Sequence, residues 1–227
     1  MLGLFKPKEA TGKSSVRARL GTTVAAKLDA DPRARRVESD LVQMYQIADF
    51  LDQATCQALV DLIETNRRPS TVLSQTNLPD FRTSDSCDMD RQSRDVKPTD
   101  EGIAGLLGID PGFGETIQGQ RYAPGQQFRT HHDFFDDRGP YWPTMKASGG
   151  QRTWTAMVYL NDVEEGGATW FPQAGIRVAP KRGLLLTWNN MGLDGRPNPA
   201  TAHEGMPVVA GVKYIITKWF RQSAWTP

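Results

Sequence analysis

From Glu115 onward this chain alternates short apolar runs with turn residues, and no helix-length periodic segment interrupts them. The runs fall at 115–122, 127–134, 152–160, 168–171, 176–178, 183–188, 206–209 and 212–220. Strands this short cannot bury their apolar sides singly, so they close on one another as a sandwich or barrel. The 21 glycines and 15 prolines among 227 residues suit such a turn-rich architecture, and 38% hydrophobic residues suit the core of one domain. The expectation is a mainly β fold with flanking helices, of the α+β class.

The helices belong to the first half. Residues 41–48 read as a strand, after which Asp52 is placed to cap a helix running to about Arg67, with Leu59, Leu62 and Ile63 on its apolar face. Residues 68–98 are rich in Ser, Asp, Arg and Pro with little apolar periodicity. They are expected to form a long mobile loop, of the kind that serves as a lid or binding segment. A short helix from Thr99 to Leu107, stopped by Gly108, then leads into the strands.

The formal charge of +1 hides an uneven distribution, because residues 1–36 hold nine Lys/Arg against three Asp/Glu. This basic arm is read as a solvated, partly ordered terminus rather than a nucleic-acid contact. Val16, Leu20, Val24 and Leu28 recur every four residues, so part of it is expected to dock as a helix. The organisation expected is an arm over 1–36 and a single domain over 37–227, with no internal repeat. Cys56 and Cys87 lie in no CxxC pattern and read as reduced thiols. Leu2 to Phe5 is too short for a secretory apolar region, and no run of eighteen apolar residues exists. A soluble cytoplasmic protein without membrane or nucleic-acid partners is expected.

The chemistry concentrates in the three histidines. In an extended segment residues i and i+2 share a face roughly 6.5–7 Å apart, so His131 and Asp133 can reach adjacent positions on one ion, with His203 closing the set. His132 points the opposite way, toward the surface or a supporting role. Two imidazoles and a carboxylate leave about half of an octahedral shell open, the arrangement used by non-haem Fe(II) oxygenases, although the same donors suit zinc, cobalt or nickel.

The stretch Arg121-Tyr-Ala-Pro-Gly-Gln-Gln-Phe-Arg-Thr-His-His-Asp-Phe134 resembles the prolyl 4-hydroxylase branch of the Fe(II)/2-oxoglutarate-dependent dioxygenases. Further matches follow in order: Tyr159-Leu-Asn-Asp-Val-Glu-Glu-Gly-Gly167, then Thr169, Phe171 and Pro172, Pro180-Lys-Arg-Gly183, Trp188-Asn189, and His203 through Lys213 to Trp219. The resemblance covers roughly residues 40–221. Departures are Phe128, where the family often has tyrosine, and Ala168-Thr169-Trp170, where it often reads Glu-Thr and a small apolar residue; neither touches a metal ligand.

The resemblance implies a double-stranded β-helix, a cupin-like jelly-roll. It implies Fe(II) on His131, Asp133 and His203, with 2-oxoglutarate and O2 as cosubstrates and ascorbate as reductant. Asp133 favours hydroxylation over halogenation, since related halogenases have a small residue there. An unpaired buried carboxylate is expensive, so the far carboxylate of 2-oxoglutarate needs a cation. Lys213 matches the family's basic residue, and Tyr122 matches the supporting tyrosine. Alternation over 213–220 puts Lys213 on one face and Lys218 on the other, and only motif position favours Lys213. Arg82, Ser84 and Trp219 match substrate-side positions. The implied reaction is hydroxylation of a prolyl residue in a proline-containing protein or peptide, releasing succinate and CO2. Alternatives are a dioxygenase acting on a free amino acid, small metabolite or other side chain, a catalytically silent peptide-binding module, and a nucleic-acid demethylase.

Overall fold

The computed structural model describes residues 12–71 and 80–227. The basic N-terminal stretch folds as α1 (Ser15–Ala30), capped by the Ser14 hydroxyl, with Val24 and Leu28 fully buried. Val16, on the same expected stripe, is 50% exposed. A four-residue spacing overshoots the 3.6-residue turn by about 40° per step, so the stripe rotates out of the core within three steps. Arg17 is buried and donates to the Gly195 and Gly12 carbonyls, tying the helix down on its polar side. The described part of the basic stretch is thus built into the fold. It continues into β1 (Ala34–Arg36), which pairs with β2 (Met44–Ile47).

Asp52 caps α2 (Gln53–Asn66) by accepting the Thr55 N–H at 2.8 Å, and Leu59 and Ile63 carry its buried face. The segment expected to be one long loop differs. It contains β3 (Arg68–Pro69), β4 (Asp85–Asp88) and the start of α3 (Lys97–Leu107), while residues 72–79 lie outside the described part. Polar strands such as Asp-Ser-Cys-Asp show no apolar alternation; pairing with a neighbour, not propensity, makes them strands. α3 ends at Gly108, whose φ of 66° supplies the left-handed cap expected of glycine.

The remaining elements are β5 (Gln118–Tyr122), β6 (Phe128–His131), α4 (Trp142–Ala147), β7 (Arg152–Tyr159), β8 (Glu165–Gly166), β9 (Thr169–Phe171) and β10 (Ile176–Val178). They are followed by β11 (Leu185–Asn189), β12 (His203–Gly205), β13 (Val208–Ala210) and β14 (Lys213–Arg221). The eight-stranded major sheet runs β1-β2-β11-β7-β14-β5-β4-β3, and the four-stranded minor sheet runs β10-β9-β12-β6. β13 pairs with β8, where Gly166 has φ 81° and a Cβ would lie 2.5 Å from the Pro207 carbonyl oxygen. The strand pairs are antiparallel, and the two sheets form the jelly-roll expected from the sequence.

Period-two alternation divides the major sheet between two cores. Trp154, Ala156, Val158, Ile216 and Phe220 pack with the apolar faces of α1, α2 and α3. Met157, Tyr159, Leu186, Trp188 and Ile215 point the other way, toward Phe171 and Val178 of the minor sheet. Lys218 is on the helix side, fully buried, where it pairs with Asp100 of α3 and donates to the Glu115 carbonyl at 3.2 Å. Of the two lysines, Lys218 is thus the one that ties helix to sheet. Lys218→Ala would leave Asp100 buried with only Arg91 at 3.5 Å. Breaking one side of a buried pair is destabilising by about 3–5 kcal/mol, and the remaining contact puts this variant toward the lower end. Urea unfolding reads the loss; a change below about 1 kcal/mol contradicts the assignment.

Candidate active site

The minor sheet brings the two distant histidines together by register. His131 ends β6 and His203 begins β12, and the two are directly paired across the antiparallel ladder. The strand ends at His131, so Asp133 turns inward just beyond it and not as a regular strand residue. The three nonetheless converge: one ligand atom from each of His131, Asp133 and His203 lies within 4.8 Å of the others. His131 Nε2 is 3.9 Å from Asp133 Oδ1, and His203 Nε2 is 4.0 Å from Asp133 Oδ2. His132 faces away, 3.1 Å from the Pro199 carbonyl.

The protonation pattern suits ligation. His131 Nδ1 is 2.9 Å from the Arg129 carbonyl and His203 Nδ1 is 3.0 Å from the Thr201 carbonyl. A carbonyl only accepts, so each Nδ1 carries the proton and each Nε2 keeps its lone pair for the shared point. Burial, reinforced by His203, pushes the His131 imidazole down to about 3, so it is neutral at ordinary pH. Burial opposes ionisation of Asp133, but the two imidazoles, Arg152 and the Thr155 hydroxyl outweigh it and hold the carboxyl below its usual range.

A cavity runs from this point into the interior, with Tyr122, Thr169, Lys213, Ile215 and Thr217 along its walls. Lys213 is 1% exposed and is the direct cross-strand partner of Tyr122. Its ammonium lies over the Tyr122 and Tyr159 rings, 5.1 and 5.6 Å from their centroids. Desolvation, the sole cause of its shift, brings it down to about 7. The Tyr122 hydroxyl donates to Gln120 Oε1 at 2.7 Å, and Gln120 donates to Thr217 Oγ1 at 3.0 Å.

A family model described as the 2OG-Fe(II) oxygenase superfamily matches residues 117–221. Prolyl 4-hydroxylase 1 of Arabidopsis thaliana is 34% identical over 196 residues, covering 78% of this chain and 68% of that protein. The chain belongs to the prolyl 4-hydroxylase family of 2OG-Fe(II) oxygenases. Probable prolyl 4-hydroxylase 3 of the same plant is 33% identical over 75% of this chain and 66% of its own length. The 2OG complex of viral collagen prolyl hydroxylase vCPH, from Paramecium Bursaria Chlorella virus-1, superposes with a TM-score of 0.61 at 27% identity, covering 78% of this chain and 95% of that one. The donor set fits the family's metal: two lone pairs and a carboxylate held below its usual range aim at one point, and Lys213 lines the same cavity.

In this family member the cavity mouth is aromatic. Phe128 stacks on His131 with ring centroids 3.6 Å apart, and the Arg82 guanidinium sits 4.7 Å over the Phe128 ring. Phenylalanine therefore keeps the platform that tyrosine would provide, without its hydroxyl. Arg82 is held by Gln118 Oε1 at 2.8 Å and by Ser84 Oγ and the Thr71 carbonyl at 3.2 Å. Ser84 is 2% exposed and supports Arg82 from behind, outside the cavity wall. Trp219 does line the cavity. The Arg152 guanidinium packs 4.0 Å over its indole while forming a two-pronged ion pair with Glu115 at 2.6 and 2.7 Å.

Sequence reasoning missed Thr155, Gln120, Arg152 and Glu115. Alternation along β7 puts Thr155 on the same face as Met157 and Tyr159, the one signal available for it. Nothing local marks Glu115, whose partners Arg152 and Arg221 are far away in the chain.

Proposed function

We propose that this chain hydroxylates a prolyl residue in a protein or peptide. His131, Asp133 and His203 would hold Fe(II), and Lys213 with Tyr122 would hold the far carboxylate of 2-oxoglutarate. Arg82, Ser84 and Trp219 form the peptide side of the site, Ser84 acting through Arg82. The observation that carries this reading is the convergence of the three ligand atoms in a cavity that the buried Lys213 also lines. The prolyl substrate is supported by the identity to prolyl 4-hydroxylases over most of the chain. Ascorbate is the proposed reductant. A cytoplasmic location is proposed with it, supported by the two free, buried cysteines.

When bound, Fe(II) with 2-oxoglutarate supplies oxidative decarboxylation: dioxygen delivers one oxygen atom to succinate and one to the target C–H bond, with loss of CO2. The protein does the positioning. The carbonyls of Arg129 and Thr201 fix the imidazole tautomers, Lys213 neutralises the cosubstrate's far carboxylate, and the Phe128 and Trp219 walls exclude water. Arg82 presents a cation over Phe128 at the entrance, the place where a peptide carbonyl would arrive.

Arg82→Ala tests the substrate side. Hydrogen bonds to charged groups are worth about 1.5–3 kcal/mol, so peptide hydroxylation should fall roughly ten- to hundredfold. Peptide-independent decay of 2-oxoglutarate should fall much less. Succinate release with and without a proline-containing peptide measures both; equal losses in the two assays would turn the reading toward a small-molecule substrate.

A further inference from the structure

Beneath Asp133 lies a buried polar chain whose direction can be read from its chemistry. The Trp188 indole Nε1 donates to Asn190 Oδ1 at 3.0 Å, and Asn190 Nδ2 donates to Thr155 Oγ1 at 2.8 Å. Thr155 Oγ1 donates to Asp133 Oδ2 at 2.7 Å. None of these four side chains is more than 5% exposed, so water does not compete. An indole N–H can only donate. It therefore fixes which end of the Asn190 amide faces Trp188, and the amide NH2 must face Thr155. Thr155 receives that proton, and its own hydroxyl hydrogen is left for Asp133.

The chain is anchored at both ends. Thr155 and Trp188 are direct cross-strand partners on β7 and β11, and the Asn190 backbone N–H donates to the Thr153 carbonyl at 2.7 Å. The Trp188 ring meets the His203 imidazole edge-on, with centroids 4.9 Å apart. One aromatic residue thus touches the third donor directly and reaches the carboxylate through three hydrogen bonds.

We infer that Thr155, oriented by Asn190 and Trp188, is a positioning residue that occupies Asp133 Oδ2 and offers only Oδ1 to the metal. A carboxylate binding through both oxygens would fill a position that the cosubstrates need; one tethered oxygen keeps that position open. The inference rests on the metal reading proposed above and adds the residues that set the carboxylate's denticity.

Cobalt(II) titration of the apoprotein, followed by visible absorption, tests it without turnover. Loss of a hydrogen-bond partner behind a metal ligand typically weakens affinity roughly 10- to 100-fold, and Thr155→Val should do so. Thr155→Ser, which restores the hydroxyl, should stay within about threefold of wild type. Trp188→Phe keeps the ring but frees the Asn190 amide to turn, and should weaken binding several-fold. Thermal melting of each apoprotein verifies folding. If Thr155→Val does not fold, Trp188→Phe carries the test. Wild-type binding that is unchanged in the folded variants overturns this inference alone, whereas a wild-type protein that takes up no cobalt overturns it together with the metal reading.

Discussion

Asp133→Ala is expected to abolish succinate formation while leaving the apoprotein folded. Asp133 is the one anionic donor of the three, and without it only two imidazoles remain to bind a divalent cation. Metal activation contributes several kcal/mol; at about 1.4 kcal/mol per tenfold, losing it slows turnover on the order of a thousandfold or more. The fold should tolerate the change, because Asp133 lies beyond the end of β6 and packs against neither apolar core. Its removal leaves only the Thr155 hydroxyl without an acceptor. Succinate release and apoprotein melting give the two readouts. Turnover near the wild-type rate would show that the carboxylate is not a ligand.

Lys213→Ala is expected to raise the 2-oxoglutarate requirement by about 2–5 kcal/mol, the loss found when one member of a buried, hydrogen-bonded charge pair is removed. That corresponds to roughly thirty- to several-thousandfold in affinity. Lys218→Ala, by contrast, should lower stability with little direct effect on cosubstrate binding, since it faces α3.

The buried lysine also sets a pH dependence. Its folded value of about 7 lies below the ordinary 10.5. Below about pH 7 both the folded and unfolded chains carry the proton, and the destabilisation from the buried charge is present in full. Between about 7 and 10.5 the unfolded chain binds more proton, so apoprotein stability rises with pH and the destabilisation is gone above that range. Lys213→Met should therefore melt higher than wild type near pH 6 and lose that advantage near pH 10. For the same reason 2-oxoglutarate affinity should weaken as pH rises above about 7, because binding then requires proton uptake. Calorimetry in buffers of different ionisation heat, with Mn(II) as the metal, detects that uptake. An affinity constant across this range would contradict a charged Lys213 as the partner.

Much of the site was legible because its signals are local. The His-x-Asp spacing, the later His203 and the alternation of β14 each needed only a few neighbouring residues. Lys213 and Lys218 showed the limit of that reasoning. Alternation separates their faces but does not say which face is the cavity, and the deciding contact, Asp100, lies in a helix more than a hundred residues earlier. β4 escaped notice because its polar sequence becomes a strand only through pairing with β5. α4 has six residues, too few to show a helical period. The chain of bonds from Trp188 to Asp133 joins residues from three separate segments, and no sequence interval announces it.

The central claim is that this protein places one oxygen atom on a prolyl residue at the expense of one 2-oxoglutarate. Mass spectrometry of a proline-containing peptide incubated with the protein, Fe(II), ascorbate and 2-oxoglutarate measures this directly. A gain of about 16 Da localised to proline, matched by one succinate per event and absent in Asp133→Ala, is the predicted result. Succinate formed without any modified proline, across peptides and cell lysate alike, would contradict it.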